Sequence, residues 1–400
     1  PTCGAFVRDL LDAATELDKN LRMELLGTLR QGGAAAIPPL LSRAHEETMY
    51  LPPEKARRGR KLGLVLAAGG LLALAGVERA RFPDLKRAAD ILGPLLPTAA
   101  HALGVPPAIP VIVGTPDLHS AALGSGAVND FDAHLYLGTS SWLTCHVPFK
   151  KTDLFHNMAA LPSAIPDRYF VVNEQECAGA SIGYLIDQLL YPSDRLQTPA
   201  RPDDVYARLD ELAASAPAGS DRLIFTPWLY GERTPVDDHT VRGGFFNQSL
   251  QTTRAHLVRA VYEGVAFNSR WLLTYVEQFV RRPLHGIHLI GGGAQSDFWC
   301  QVHADVLNRT IEQVGDPLQA NLRGAGFLAW MALGELTVAD IPSRVPIVRT
   351  FAPNPQHRAL YDELFQAFVT LYRNNRRLYA RLNKTAQPTP GGSAPWPAGG

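Results

Sequence analysis

Asp117 follows an apolar, strand-like run, Ile109-Pro110-Val111-Ile112-Val113, through the turn Gly114-Thr115-Pro116. A carboxylate at the carboxyl end of a strand stands where open α/β folds place their ligands, and it can accept the proton of an attacking hydroxyl. The residues after it, Ser120, Ala121, Ala122, Gly124, Ser125 and Gly126, are small and leave room for a ligand. The same position also suits a helix N-cap, where Asp is common. A second candidate is Gly138-Thr139-Ser140-Ser141. It offers backbone N–H groups and three hydroxyls in a tight turn, which suits phosphate oxygens, although strand-end turns are often rich in Gly and Ser for conformational reasons alone. A third is Gly291-Gly292-Gly293-Ala294, between a strand and a helix. There the missing Cβ atoms let a ligand approach the backbone and the helix N-terminus favours anions; a plain packing turn is the alternative. The chain does not contain the Walker pattern G-x-x-x-x-G-K-[ST], which argues against a P-loop NTPase. Phosphate would then be held by strand-end turns facing each other across a cleft, with Mg²⁺ bridging the phosphates and a carboxylate as base.

These groups need elements to hold them. Residues 1 to about 50 read as helix, with Phe6, Leu10, Leu11, Ala14, Leu17 and Leu21 at helical spacing. A helix is expected from Asp84 through Leu92, another over 98–103, and then the buried strand 109–113 that ends before Asp117. His134-Leu135-Tyr136-Leu137 reads as a strand leading into the second turn, with residues 142–146 returning as its hairpin partner, and a domain starts here. A strand at 223–225 precedes a polar loop that runs to Asn247, and a long helix over 253–276 buries Leu257, Val261, Val265 and Leu272. The strand 286–290 feeds the third turn, and its helix begins near Ser296 with Phe298, Trp299, Val302 and Val306 inward. An amphipathic helix over 356–382 closes the fold.

Composition narrows the class. The 400 residues are 46% hydrophobic and 19% charged, enough for a large core in two to three domains. Basic and acidic residues both number 38, so no net field favours nucleic acid or anionic lipid, and a small neutral or anionic substrate fits better. Cys3, Cys145, Cys177 and Cys300 are widely spaced, which indicates neither a zinc site nor a disulfide framework and implies reduced, cytoplasmic thiols. His285 and His288 have H-x-x-H spacing but read as a solvated turn, and no metal ligands are assigned. Residues 62–77 are uncharged behind a basic flank, yet shorter than the about 20 residues of a membrane span and interrupted by four glycines, so they read as a buried, glycine-packed segment. The end of the chain from residue 383 is rich in Pro, Gly and Ser and is expected to be disordered.

Taken in order over about residues 83–335, these segments resemble the FGGY family of ATP-dependent sugar kinases. Gly114-Thr115-Pro116-Asp117 through Gly126 resembles the segment with the family's catalytic base, which implies that role for Asp117. Leu137-Gly138-Thr139-Ser140 is similar to a phosphate-binding turn, and Glu176-Cys177-Ala178-Gly179-Ala180-Ser181 to a segment whose glycine lies beside the nucleotide. The stretch 225–235 with Arg242-Gly243 and Glu263-Gly264 matches the signature of the family's carboxyl-terminal domain. Within it Glu232, Arg233 and Glu263 read as structural anchors. The run 289–301 looks like the adenosine-binding strand, turn and helix, which implies nucleotide contacts at Gly292, Gly293, Ala294 and Asp297. Gly324-Ala325-Gly326 resembles a helix packed beneath the nucleotide, with a close-approach role.

The resemblance implies an α/β protein of the actin/hexokinase/Hsp70-like ATPase (ribonuclease H-like) two-domain type with an incomplete amino-terminal domain. Residues 1–130 would form the sugar side, 131–382 the nucleotide-binding domain and 383–400 a tail. It also implies a xylulokinase-like kinase with ATP and Mg²⁺ as cofactors, the nucleotide lying on Gly138, Thr139, Ser140, Gly179, Gly292, Gly293, Ala294 and Asp297. Its expected partner is a small sugar or polyol, with a homodimer admitted and neither nucleic acid nor membrane. One departure stands out: family members open with an Asp-x-Gly-Thr phosphate hairpin, whereas here Gly27-Thr28 has Leu25 where Asp is required. The expectation is an amino-terminal truncation or a diverged member lacking that hairpin, and the alternative function is a non-catalytic nucleotide- or sugar-binding pseudokinase.

Overall fold

The computed structural model of the chain describes residues 83–194 and 200–384. The expected helix over 1–50, Gly27-Thr28, the apolar segment 62–77 and the tail from 385 lie outside the described residues.

From the first described residue the chain runs through a turn into β1 (Ile91–Pro94), α1 (Pro97–Leu103) and β2 (Pro110–Ile112), then α2 (Asp117–Ser125). Five strands follow, β3 (Ala133–Leu137), β4 (Ser141–Val147), β5 (Thr152–Asp153), β6 (Met158–Pro162) and β7 (Tyr169–Val172), then α3 (Gly179–Tyr184) and α4 (Val205–Ala214). After β8 (Ile224–Thr226) and β9 (Gly244–Phe246) comes the long α5 (Arg254–Val280). Next are β10 (Gly286–Ile290), α6 (Asp297–Leu307), β11 (Thr310–Val314), α7 (Ala320–Leu333), α8 (Ile341–Arg344), β12 (Ile347–Phe351) and α9 (Arg358–Leu382).

An eight-stranded mixed sheet in the order β12-β11-β10-β3-β4-β7-β6-β5 is the backbone of the structure. At its centre β3, β10 and β11 run parallel, with Leu135 opposite Leu289 and Ile287 opposite Ile311, while β4 returns antiparallel beside β3. Strand alternation then decides which residue sees which layer. Ala133, Leu135 and Leu137, with Leu143, Cys145 and Val147 of β4, enter the larger core beneath α5 and α6. His134, Tyr136, Trp142, Thr144 and His146 are the intervening positions and point to the other face. There Trp142, Ile290 and Val314 form a second core with Ala121 and Leu123 of α2 and Phe327 and Leu328 of α7.

The two helices on that second face approach each other closely because both carry glycine at the crossing. A Cβ on Gly124 would lie 1.8 Å from the Ala320 carbonyl oxygen, and one on Gly324 would lie 1.8 Å from that of Ser120. Position 124 meets 320 and 120 meets 324, so α2 and α7 run antiparallel. The close-approach role expected of Gly324 is therefore met by α2, which begins at Asp117.

Two expectations fail near the start of the described region. No helix forms over 84–92: the chain turns at 88–90, and Ile91–Pro94 pairs antiparallel with Pro110–Ile112. Helical spacing of Leu85, Ala88 and Leu92 was outweighed by Gly93-Pro94, since a residue before proline is driven from the α region into extended backbone. The apolar run 109–113 does form a strand, but not a buried one: Ile109 and Val113 are each about two-fifths exposed, at 40% and 41%. Its sheet has only the two strands β1 and β2, too few to bury an apolar face. The hairpin partner, the long central helix, the strand 286–290 and the closing helix form as expected, with ends displaced by a few residues.

Candidate active site

The expected phosphate-binding turns meet at the carboxyl end of β3, and they do so by packing glycine against backbone. The Gly179 N–H donates to the Gly138 carbonyl at 2.8 Å, and the Ala178 and Ala180 N–H groups donate to the Thr139 carbonyl at 2.9 and 3.1 Å. A Cβ on Gly179 would lie 2.6 Å from the Gly138 oxygen, one on Gly291 2.6 Å from the Leu137 oxygen, and one on Gly293 2.7 Å from the Trp299 ring. These glycines are required because three turns share one small volume, a reason visible only in three dimensions. Gly292 differs: it is exposed and its missing Cβ would meet nothing closer than Leu318 at 3.9 Å.

At the hairpin tip, Gly138 N–H donates to the Ser140 carbonyl at 3.0 Å. Among the described residues no protein acceptor takes the N–H of Thr139 or Ser140, and no partner engages their hydroxyls. Thr139 is exposed and Ser140 half-buried. The tip thus presents unpaired donors where an anion can use them.

The loop carrying Gly179 is braced from behind. Gln175 exchanges backbone hydrogen bonds with Ser141 (2.8 and 3.1 Å) and donates through Nε2 to the Asn268 carbonyl at 2.8 Å. Buried Glu232 accepts from Asn268 Nδ2 at 2.6 Å, Arg233 N–H at 2.9 Å and Glu176 N–H at 3.2 Å. Burial pushes its carboxyl up to about 8, although those three donors pull the other way. Arg233 bridges Glu174 and Glu176, and Glu263 is held by Arg259, Ser220 and Tyr361. All three signature residues are thus tied into loop anchors.

Beyond the third turn, Ser296 caps α6 by accepting from Trp299 N–H at 2.9 Å. Asp297 does not stand free: its carboxylate accepts from Gln313 Nε2 at 3.1 Å and pairs with Arg349. Gln313 also donates to the Ala294 carbonyl at 2.8 Å, which fixes Ala294, itself fully buried, on the sheet.

Asp117 is the first residue of α2, with Pro116 as N-cap; its Oδ1 accepts the Leu118 N–H at 2.7 Å and the side chain remains exposed. A carboxylate in the first turn is favoured by the helix dipole. Asp117 stands within electrostatic reach of Tyr136 and His119. His119, half-buried against Phe170 with centroids 5.1 Å apart, has Nε2 3.2 Å from the Pro162 carbonyl. Burial lowers its basicity.

Sequence reasoning missed Tyr136. Its ring stacks on Trp142 with centroids 4.0 Å apart and planes at 10°, and it fills the space above Gly138, where a Cβ would lie 2.3 Å from the Tyr136 Oη. A Cβ on Gly291 would lie 3.1 Å from the same ring. The available signal was strand parity: Tyr136 and Gly138 are two apart on β3 and share a face. Among the described residues no group of three or more His, Cys, Asp or Glu is arranged to hold a metal ion. None of the described helices is long and apolar enough to cross a membrane.

The mixed sheet, with glycine turns at the ends of its parallel strands and helices on both faces, has the architecture of the actin/hexokinase-like ATPase fold. Solved structures agree. The chain superposes on the ligand-bound xylulose kinase from Lactobacillus acidophilus with a TM-score of 0.68 at 25% identity, covering 78% of this chain and 61% of that one. It matches the xylulose kinase from Rhodospirillum rubrum with a TM-score of 0.66 at 28% identity over 79% and 62%. The profile of the FGGY family of carbohydrate kinases, C-terminal domain, matches residues 133–333, half of the chain, and the protein belongs to that family. Among curated relatives it is 28% identical to a xylulose kinase of Staphylococcus epidermidis over 75% of this chain and 58% of the relative. It is 26% identical to a gluconokinase of Bacillus licheniformis over 78% and 60%. The chain thus spans about three-fifths of the length of the relatives it matches.

Proposed function

We propose that the protein transfers the terminal phosphoryl group of ATP to a hydroxyl of a small sugar, polyol or sugar acid. The observation that carries this reading is the junction of the Gly138, Gly179 and Gly291 turns at the end of β3, with the Thr139 and Ser140 donors unpaired. Relatives named for xylulose and gluconate support an acceptor of that size and polarity.

On this reading the phosphates lie on the N–H groups and hydroxyls of Thr139 and Ser140, and the nucleoside runs past Gly179 towards Gly292, Gly293, Ala294 and Asp297. Asp117 takes the proton of the acceptor hydroxyl as its oxygen bonds to the γ-phosphorus. The bond from that phosphorus to the bridging oxygen breaks, and ADP leaves. Mg²⁺ would arrive on the phosphates, neutralising their charge. The reading assigns residues 131–382 to nucleotide binding and residues 1–130 to the sugar side, and the cytoplasm as the place of work.

The test is ADP release by the full-length protein that carries this sequence, with Mg²⁺-ATP and a panel including xylulose, ribulose, glycerol and gluconate. One member should raise turnover well above the acceptor-free rate. A protein that binds ATP but gives no acceptor-dependent ADP with any member contradicts the reading.

A further inference from the structure

The phosphotransferase reading leaves the Tyr136 hydroxyl without a task. We propose that the Tyr136 hydroxyl is a further group of the phosphoryl-transfer site, donating a hydrogen bond to the terminal phosphate of the bound nucleotide between the Gly138–Ser140 turn and Asp117. The proposal rests on that reading and adds a residue to it.

Three observations place the hydroxyl there. Tyr136 lies on the same face of β3 as Gly138, and its Oη occupies the position next to the missing Cβ of that glycine, so the phenol reaches the turn that offers the Thr139 and Ser140 donors. The ring cannot wander: it is stacked on Trp142, flanked by Gly291, and Trp142 is itself anchored by its indole N–H donating to His134 Nε2 at 3.2 Å. Among the described residues no protein acceptor takes the hydroxyl, which remains available to a ligand on the Asp117 side of the sheet. Burial, and then the charge of Asp117, raise the phenol above its ordinary range, so it keeps its proton at neutral pH and acts as a donor. A protonated phenol fixed beside a helix-borne carboxylate suits a site where negative charge gathers on phosphoryl oxygens.

Tyr136→Phe tests this, because it keeps the ring and its stack and removes only the hydroxyl. Binding of Mg²⁺-ADP and of a non-hydrolysable Mg²⁺-ATP analogue is measured by calorimetry, alongside steady-state kinetics with the best acceptor. The expected result is a loss of about tenfold or more in affinity for the ATP analogue, with ADP binding unchanged. A comparable fall in kcat at an unaltered acceptor KM should accompany it, the scale of one hydrogen bond to a charged group. If the variant keeps both within about twofold of the parent, the ring is only a wall and the inference is wrong. A Tyr136→Ser protein that binds the analogue more tightly and turns over faster overturns it too, since the phenol would then be obstructing the phosphate. Failure of the unaltered protein to bind either nucleotide would sink the phosphotransferase reading and this inference together, whereas an unchanged Tyr136→Phe in a working kinase sinks the inference alone.

Discussion

Glu232 shows how the loop carrying Gly179 is held from behind. It sits 1% exposed behind the Gly179 loop, and its pKa rises from 4.5 to about 8. Between those values the folded state holds a proton that the unfolded state has lost. Its contribution is therefore complete below about pH 4.5 and falls away as the pH rises towards 8. Unfolding midpoints across that window should decline less in Glu232→Gln than in the parent, and a variant with an unchanged slope would show that the group is ionised in the fold. The glycines give the matching lesson about legibility. Gly138, Gly179 and Gly293 were readable in sequence as ligand-facing, yet each missing Cβ makes room for protein: the Tyr136 ring, the Gly138 oxygen and the Trp299 ring. Of the glycines expected at the nucleotide, Gly292 keeps an open face, with Leu318 at 3.9 Å its nearest neighbour. Residue type and spacing located the turns, but the contacts that require glycine come from other strands and could not be read along the chain.

Asp117 is placed by the α2 and α7 pair, and that pair is fixed by two glycines. Gly124→Ala or Gly324→Ala would drive a methyl into backbone 1.8 Å away, with no flexible side chain to yield. Each should cost about 1–3 kcal/mol or more in chemical denaturation. Gly326, two positions along the same helix, has nothing within 4 Å of its missing Cβ. Its replacement by Ala should be neutral or stabilise by about 0.5–1 kcal/mol. Equal effects at 324 and 326 would contradict the close crossing. Elements with strong periodicity, such as α5, α9 and the strand 286–290, were legible because one buried face repeats along them. The segment 84–92 was not: its apolar residues fit a helix, but Gly93-Pro94 and pairing with β2 decided otherwise.

For the molecule as a whole, family membership was anticipated by the succession of strand, glycine turn and helix rather than by any single motif, whereas the order of strands in the sheet came only from the folded chain. Burial was over-read for the strand 109–113, where Ile109 and Val113 stay partly exposed. Leu85, Leu92 and Leu96 around β1 are more than half exposed, as is Leu322 on the outer side of α7. A linear hydrophobic pattern does not say what covers a position. The candidate turns and Asp117 could be picked out along the sequence; the packing of the turns at the end of β3, with Tyr136 against them, required the folded chain.

The central claim is that Asp117 serves as the base for phosphoryl transfer to a small hydroxyl compound. Asp117→Asn keeps the shape of the side chain and removes its basicity, so acceptor-dependent ADP release by the full-length protein, measured beside Mg²⁺-ADP affinity, is the direct measurement. The account predicts a fall of about 10²–10⁴-fold in turnover with nucleotide affinity preserved; unchanged acceptor-dependent turnover in a protein that still binds nucleotide would contradict it.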